Sequence, residues 1–333
     1  MMQSNTPSWF SRWYSLKKIG WFLKLLLLGA MLSYLYATIR EKGESLQDVY
    51  QLLIERLNFN HLTELGMVVS LTPLNWACES RKWQLLAQKI EKISFLQSLK
   101  GVLAGLALGF LMPNNVGDAA GRVLSLQSSQ RLTGVGAALL SNGLQFYVSL
   151  FFGTVGWVFF IGHQAALQHW PQLTLLGMLT STLIFGIWLI IKRKSAENYL
   201  ERFRWFRWIE TYVDVIALYE LIEIRRAFRW AVLRYGVFTL QFGLLLSIFD
   251  ISLPVLPALA CIFLVFFAKT LIPALNFLGD LGIREASSLY FFSFYEIAPT
   301  RIVAVTLTLW CINILLPVGI GAFWMLKMKW WRE

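Results

Sequence analysis

The chain has 333 residues, of which 57% are hydrophobic and only 15% charged, with a net charge of +11. Soluble domains carry about 25% charge, so composition excludes an ordinary soluble enzyme and points to a polytopic α-helical membrane protein. The apolar stretches are long and continuous, which disfavours a β-barrel, while 15 tryptophans and 25 phenylalanines suit membrane interfaces and lipid-facing helices.

The first apolar run, Ile19–Ile39, follows Lys17 and Lys18. It is too long for a signal peptide and lacks a clear small-x-small cleavage site, so it reads as a retained span. Glu41–Glu55 follows as an outer segment of mixed charge. His61–Cys78 then returns the chain to the side of Arg81, Lys82, Lys89, Lys92 and Lys100. Val135–Ile161 crosses outward, Leu173–Ile191 comes back, and Val232–Phe249 leaves again. Ile302–Leu326 brings Lys327, Lys329 and Arg332 to the first side. A helical span needs roughly 20 apolar residues to cross about 30 Å of hydrocarbon. The basic sections, Lys192–Arg234 the largest, then share one side, the cytoplasmic one by the positive-inside rule. The expected location is the inner (cytoplasmic) membrane, multi-pass, with both termini cytoplasmic.

Two shorter apolar runs, Gly101–Met112 and Ala258–Pro273, break differently. Lys100 and Arg131 flank the first, Asp250 and Arg301 the second, and parity puts each flanking pair on one side. Each run is therefore expected to enter, break at proline and glycine, and leave where it came in. One does so from the cytoplasm and the other from outside, as do the broken helices of an inverted repeat. The expected fold is an all-α polytopic membrane protein of six full spans plus two re-entrant broken helices. Eight full spans is the alternative, which sets the basic middle section outside, against the charge rule. Within the single domain 1–333, a first half (1–191) and a second half (232–333) are joined by a connector (192–231). That connector mixes arginine with tryptophan, phenylalanine and tyrosine and suits the cytoplasmic headgroup layer.

Each short run ends in the same pattern. Gly117-Asp118-Ala119-Ala120-Gly121-Arg122 follows Pro113, and Gly279-Asp280-Leu281-Gly282-Ile283-Arg284 follows Pro273, about half the chain later. Both read Gly-Asp-x-x-x-Arg. An ionised side chain at membrane depth costs roughly 2.5–3.5 kcal/mol on insertion scales, faces a bundle interior or cavity, and is a functional candidate by default. If the intervening residues are helical, each Asp-Arg pair shares a face. Gly101, Gly105 and Gly109 repeat every fourth residue and Gly117 and Gly121 resume that spacing, which lets helix backbones approach closely. Glu285 joins Asp118, Arg122, Asp280 and Arg284 as a headgroup-binding candidate, and Asn114, Asn115, Lys269, Asn276 and Glu296 are secondary polar candidates near the motifs. Cys78, Cys261 and Cys311 lie in or beside apolar runs, without disulfide or zinc spacing. His61, His163 and His169 have no metal spacing, so no metal and no cofactor is expected.

At these motifs the chain resembles a known family. Pro273 to Glu285, read as Pro-x5-Gly-Asp-Leu-Gly-Ile-Arg-Glu, resembles the GGLGxRE signature of the lysylphosphatidylglycerol synthase transmembrane, or flippase-like, family. Pro113-Asn-Asn-Val-Gly-Asp-Ala-Ala-Gly-Arg122 is similar to that family's earlier Pro-x-x-x-Gly-acid-then-Arg signature. Asp280 stands where the family has a second glycine. The resemblance covers most of the chain. It implies a domain associated with moving lipids such as aminoacylated phosphatidylglycerol between leaflets, or one accompanying glycosyltransferases in cell-envelope synthesis. The bifunctional relatives carry a soluble transferase domain; here the chain reaches Glu333 directly after its last span, so a stand-alone member is expected.

The resulting expectation is a lipid transport protein that binds an anionic phospholipid or polyprenyl-linked glycan precursor and translocates it between leaflets. Arg122 and Arg284 are expected to hold phosphate, with Asp118 and Asp280 neutralising them when no lipid is bound. Glu285 is expected to position Arg284 or meet a cationic headgroup. A second reading is a non-transporting membrane partner or anchor for a glycosyltransferase, docked through 192–234. A third, a membrane-embedded transferase using Asp118, Asp280 or Glu285 as base, ranks below both. No catalytic residue is expected, since no nucleophile elbow or P-loop occurs. Charge spaced between membrane spans is also not the footprint of nucleic-acid binding.

Overall fold

The computed structural model describes residues 26, 29–57, 61–111, 116–126, 131–163, 169–193, 215–271 and 280–327. Their regular structure is entirely helical. In chain order the helices are α1 (29–41), α2 (Leu46–Arg56), α3 (Leu62–Ala87), α4 (Phe95–Leu111), α5 (Val116–Leu124) and α6 (Arg131–His163). They continue with α7 (His169–Lys192), α8 (Leu221–Ile248), α9 (Val255–Leu271), α10 (Ile283–Ser293), α11 (Pro299–Trp310) and α12 (Leu316–Lys327). A single π-helical turn, Cys311–Leu315, joins the last two.

Among the described residues, four helices are long and apolar enough to cross a membrane: Thr133–His163, Trp170–Lys192, Leu221–Ile248 and Pro299–Trp324. They match four of the six expected spans. The expected first span, Ile19–Ile39, lies only partly within the described residues. The expected second, His61–Cys78, falls within α3, which continues to Ala87 and takes Glu79, Arg81 and Lys82 into the same helix. Among the described residues α3 is not one of the helices long and apolar enough to cross. The span expected from Val232 begins earlier, at Leu221, so the end of the basic section is the first half of α8. Most of the rest of that section, 194–214, lies outside the described residues.

The two short apolar runs form α4 and α9, each 17 residues. At 1.5 Å per residue each is about 25 Å long, short of the ~30 Å hydrocarbon thickness. After α4 the chain folds back. A β-carbon on Gly121 would meet Gly105 N at 2.4 Å, and one on Gly117 would meet the Leu108 carbonyl oxygen at 2.2 Å. Gly101 faces Ser125 in the same register. The glycine row thus joins α4 and α5 as an antiparallel hairpin in backbone contact. Nothing larger than hydrogen fits at 117 or 121. α9 and α10 also run antiparallel, with Lys269 beside Asp280 and Cys261 Sγ donating to the Phe291 carbonyl.

The packing is reciprocal between halves. The order α3, α4, α5, α6 is matched by α8, α9, α10, α11–α12. α3 packs against α8 at the centre, α9 against α6, and α4 against α12. α7 packs on α6, and α2 covers α11. The two ends of α8 gather different partners. At its start Lys89 Nζ pairs with Glu223 at 3.0 Å and the buried Tyr219 hydroxyl donates to the Leu86 carbonyl at 2.7 Å. At its finish Arg56 pairs with the Asp250 carboxylate and Arg301 donates to the Asp250 carbonyl at 2.9 Å. Lys89 and Glu223 thus mark one end of α8, and Asp250 and Arg301 sit together at the other.

Candidate functional site

The centre of the molecule holds a connected set of buried charges. Arg234 lies at the middle of the 28-residue α8. Its Nη1 pairs with Glu79 of α3 at 2.8 Å and its Nε donates to Asn75 at 3.1 Å. Glu79 also takes Lys82 Nζ at 2.9 Å and Arg122 Nη1 at 2.7 Å. Glu79, Lys82 and Arg122 are all buried. Burying such groups singly is very costly, so they survive only as a paired, hydrogen-bonded network.

Arg122 is nearly saturated. Its Nε donates to both Asp118 oxygens at 3.0 Å, Nη2 donates to the same carboxylate at 3.0 Å, and Nη1 also reaches Ser141 Oγ at 3.3 Å. The guanidinium lies 5.8 Å from the centre of the Trp83 ring. Asn142 Nδ2 supports Asp118 at 3.0 Å, and Lys82 reaches Gln145 at 3.4 Å. Helix α5 provides the spacing: Asp118 stands in its first turn and Arg122 in its last, one turn apart on one face.

The second pair is built differently. Asp280 precedes α10, in the left-handed backbone region at φ 68°. One carboxylate oxygen takes Arg284 Nη2 at 2.6 Å and the other takes Lys269 Nζ of α9 at 2.8 Å. The ion pair therefore spans the start of α10 rather than a helical turn. Left-handed backbone costs any residue with a β-carbon, less for Asp and Asn. This is why glycine would suit the position and why an aspartate there carries backbone strain. The start of α10 is already occupied, because the Gly282 amide donates to Glu285 Oε2 at 2.6 Å. Glu285 thus works as a buried helix cap, filling the place a phosphate would take at a free helix start.

Arg284 is the exception to saturation. It is buried, yet among the described residues its Nε and Nη1 have no hydrogen-bond partner, and neither do Glu285 Oε1 or Ser288 Oγ one turn along. An unmet buried donor costs about 1–3 kcal/mol, more when charged.

One aromatic ring links the two sets. Phe238, one turn after Arg234, has the Arg234 guanidinium 5.2 Å and the Lys269 ammonium 5.7 Å from its centroid. Both lie within cation–π range. The least buried members are Asp118, Arg234 and Lys269, whose side chains are 14%, 16% and 26% exposed.

The motif residues thus fall into three groups. Asp118, Arg122, Asp280, Arg284, Glu285 and Lys269 are in the cluster or capping it. Gly117, Gly121 and Gly282 shape its backbone. Glu296 is exposed in the turn before α11, with positive φ, and makes no ion pair with the cluster among the described residues. Pro113, Asn114, Asn115, Pro273, Asn276 and Gly279 lie outside the described residues. Sequence reasoning missed Glu79, Lys82 and Arg234, together with Asn75, Ser141, Asn142 and Gln145. Lys82 reads as one of a cytoplasmic basic group and Arg234 as the end of a connector, yet both are central. The signal was a polar stripe on one face of α3, Thr72, Asn75, Glu79 and Lys82, spaced three, four and three residues apart. Among the described residues no cluster of His, Cys, Asp and Glu is suited to hold a metal.

Comparison with known proteins adds no relative: no family model, no curated protein and no solved structure matches this chain.

Proposed function

We propose that this chain binds an anionic lipid headgroup, of an acidic phospholipid or a polyprenyl-linked glycan precursor, and carries it between leaflets as a flippase-like protein. The observation that carries this reading is the charge count at the centre of α8. Five cations (Lys82, Arg122, Arg234, Lys269, Arg284) face three paired carboxylates (Glu79, Asp118, Asp280), and a fourth, Glu285, is turned into the Gly282 amide. The excess is positive, and among the described residues Arg284 has two N–H directions unmet. A phosphate oxygen in that position supplies what the protein does not, and guanidinium matches phosphate in a fork.

On this reading the two motif arginines have different duties. Arg122 pins α3, α5 and α6 together, while Arg284, Lys269 and Arg234 receive the headgroup. The 17-residue α4 and α9, with their antiparallel partners, read as re-entrant segments of an inverted repeat. The end of α8 near Lys89 and Tyr219 reads as cytoplasmic, by its excess of Lys and Arg.

The test uses purified protein in phosphatidylcholine vesicles containing fluorescent phosphatidylglycerol. Arg284→Gln is expected to slow its passage about tenfold or more, the worth of one charge-assisted hydrogen bond, in protein that still folds because Lys269 continues to hold Asp280. Translocation at the parent rate by folded Arg284→Gln removes Arg284 from the mechanism.

A further inference from the structure

Away from the ion cluster, an elongated groove of about 500 Å³ runs between α6, α7 and α8. Its walls are aliphatic and aromatic, including Leu139, Ile187 and Leu221, all exposed. From Gly136 to Tyr147 the α6 wall covers roughly 16 Å, about half the ~30 Å hydrocarbon thickness, so the groove has the depth of one leaflet. At its inner end Tyr147 and Phe228 meet edge to face, ring centroids 6.2 Å apart, and the Tyr147 hydroxyl donates to the Leu183 carbonyl at 2.9 Å.

The other end is cationic. Arg193 and Arg225 both line it. Arg193 spends Nε on the Tyr219 carbonyl and Nη1 on the Ile190 carbonyl, both within 2.9 Å, which leaves Nη2 uncommitted among the described residues. Arg225 is exposed and has no ion pair among them. The nearby carboxylate of Glu223 is already held by Lys89 and by the Glu220 amide. An apolar slot one leaflet deep with two arginines at its rim is complementary to one kind of occupant.

We infer that this groove holds an acyl chain of an anionic phospholipid from the leaflet at the Lys89–Tyr219 end, its phosphate at Arg193 and Arg225, as a bound lipid distinct from the cargo of the central cluster. The inference does not depend on translocation.

Gly143 provides the test. It lies on the groove wall, and a β-carbon there meets nothing within 4 Å, so Gly143→Leu fills the slot without disturbing packing. The full chain is placed in nanodiscs of nine parts phosphatidylcholine to one part phosphatidylglycerol. Spin-labelled versions of each lipid report the motionally restricted fraction. The parent is expected to retain phosphatidylglycerol over phosphatidylcholine. Arg225→Gln is expected to lower that preference about fivefold, the worth of one basic residue near anionic lipid. Gly143→Leu is expected to release both labels. A parent without preference, or preference unchanged in Arg225→Gln, overturns the anionic assignment. Restricted label unchanged in Gly143→Leu overturns the groove. If Gly143→Leu does not fold, the exposed Arg225→Gln alone decides.

Discussion

Replacing Arg122 by glutamine separates the two duties assigned to the motif arginines. The guanidinium is buried and bonded to Glu79, Asp118 and Ser141. Breaking a buried ion pair from one side costs about 3–5 kcal/mol, chiefly because the partner is left charged and alone. Here the loss is uneven. Glu79 retains Lys82 and Arg234. Asp118 retains, among the described residues, only Asn142, but its side chain is 14% exposed and recovers some solvation. The cost therefore falls at the lower bound, about 3 kcal/mol. For a chain larger than 250 residues each kcal/mol moves the melting temperature by roughly 2 °C, so a drop near 6 °C is expected. Asp118→Asn combined with Arg122→Gln removes the stranded charge and is expected to recover most of that loss. Thermal unfolding of the detergent-solubilised protein, followed by tryptophan fluorescence, measures both. A parent-like melting temperature in Arg122→Gln refutes the pinning role. A double variant no better than the single one refutes the stranded-charge account.

Two further substitutions test the backbone that supports the cluster. Gly121→Ala puts a methyl group 2.4 Å from the Gly105 nitrogen and 2.6 Å from the Ala104 carbonyl carbon. No flexible side chain can give way, so a loss of about 1–3 kcal/mol or more is expected, read as a lower melting temperature. Gly143→Ala, with open space around it, serves as the control. At Asp280, alanine and glycine both delete the carboxylate and differ in left-handed backbone strain. Asp280→Ala is expected to unfold about 1–2 kcal/mol more easily than Asp280→Gly. Equal stability of the two refutes the strain.

Several features were legible in the chain because they are local. Asp118 and Arg122 pair because four residues is one helical turn. The glycines at 101, 105, 117 and 121 predict close backbones, and α4 and α5 meet through them. Long uncharged runs announced α6, α7, α8 and α11–α12. The second motif was less transparent. The same spacing bridges a helix start instead of a turn, and Glu285 occupies the amide that looked open to phosphate.

From residue order alone follow the membrane class, the helical content and the two Asp-Arg pairs, since each depends on composition or on neighbours within a turn. Only the tertiary structure decided which charges are buried together. Lys82 and Lys89 belong to the same basic run. One lies between Glu79 and Gln145 at the centre, and the other pairs at the half-exposed start of α8. What separates them is that Lys82 lies on the face of α3 packed against α6 and α8, whereas Lys89 lies in the turn after α3 ends. The same packing brings Arg234 onto Glu79 and onto the ring it shares with Lys269.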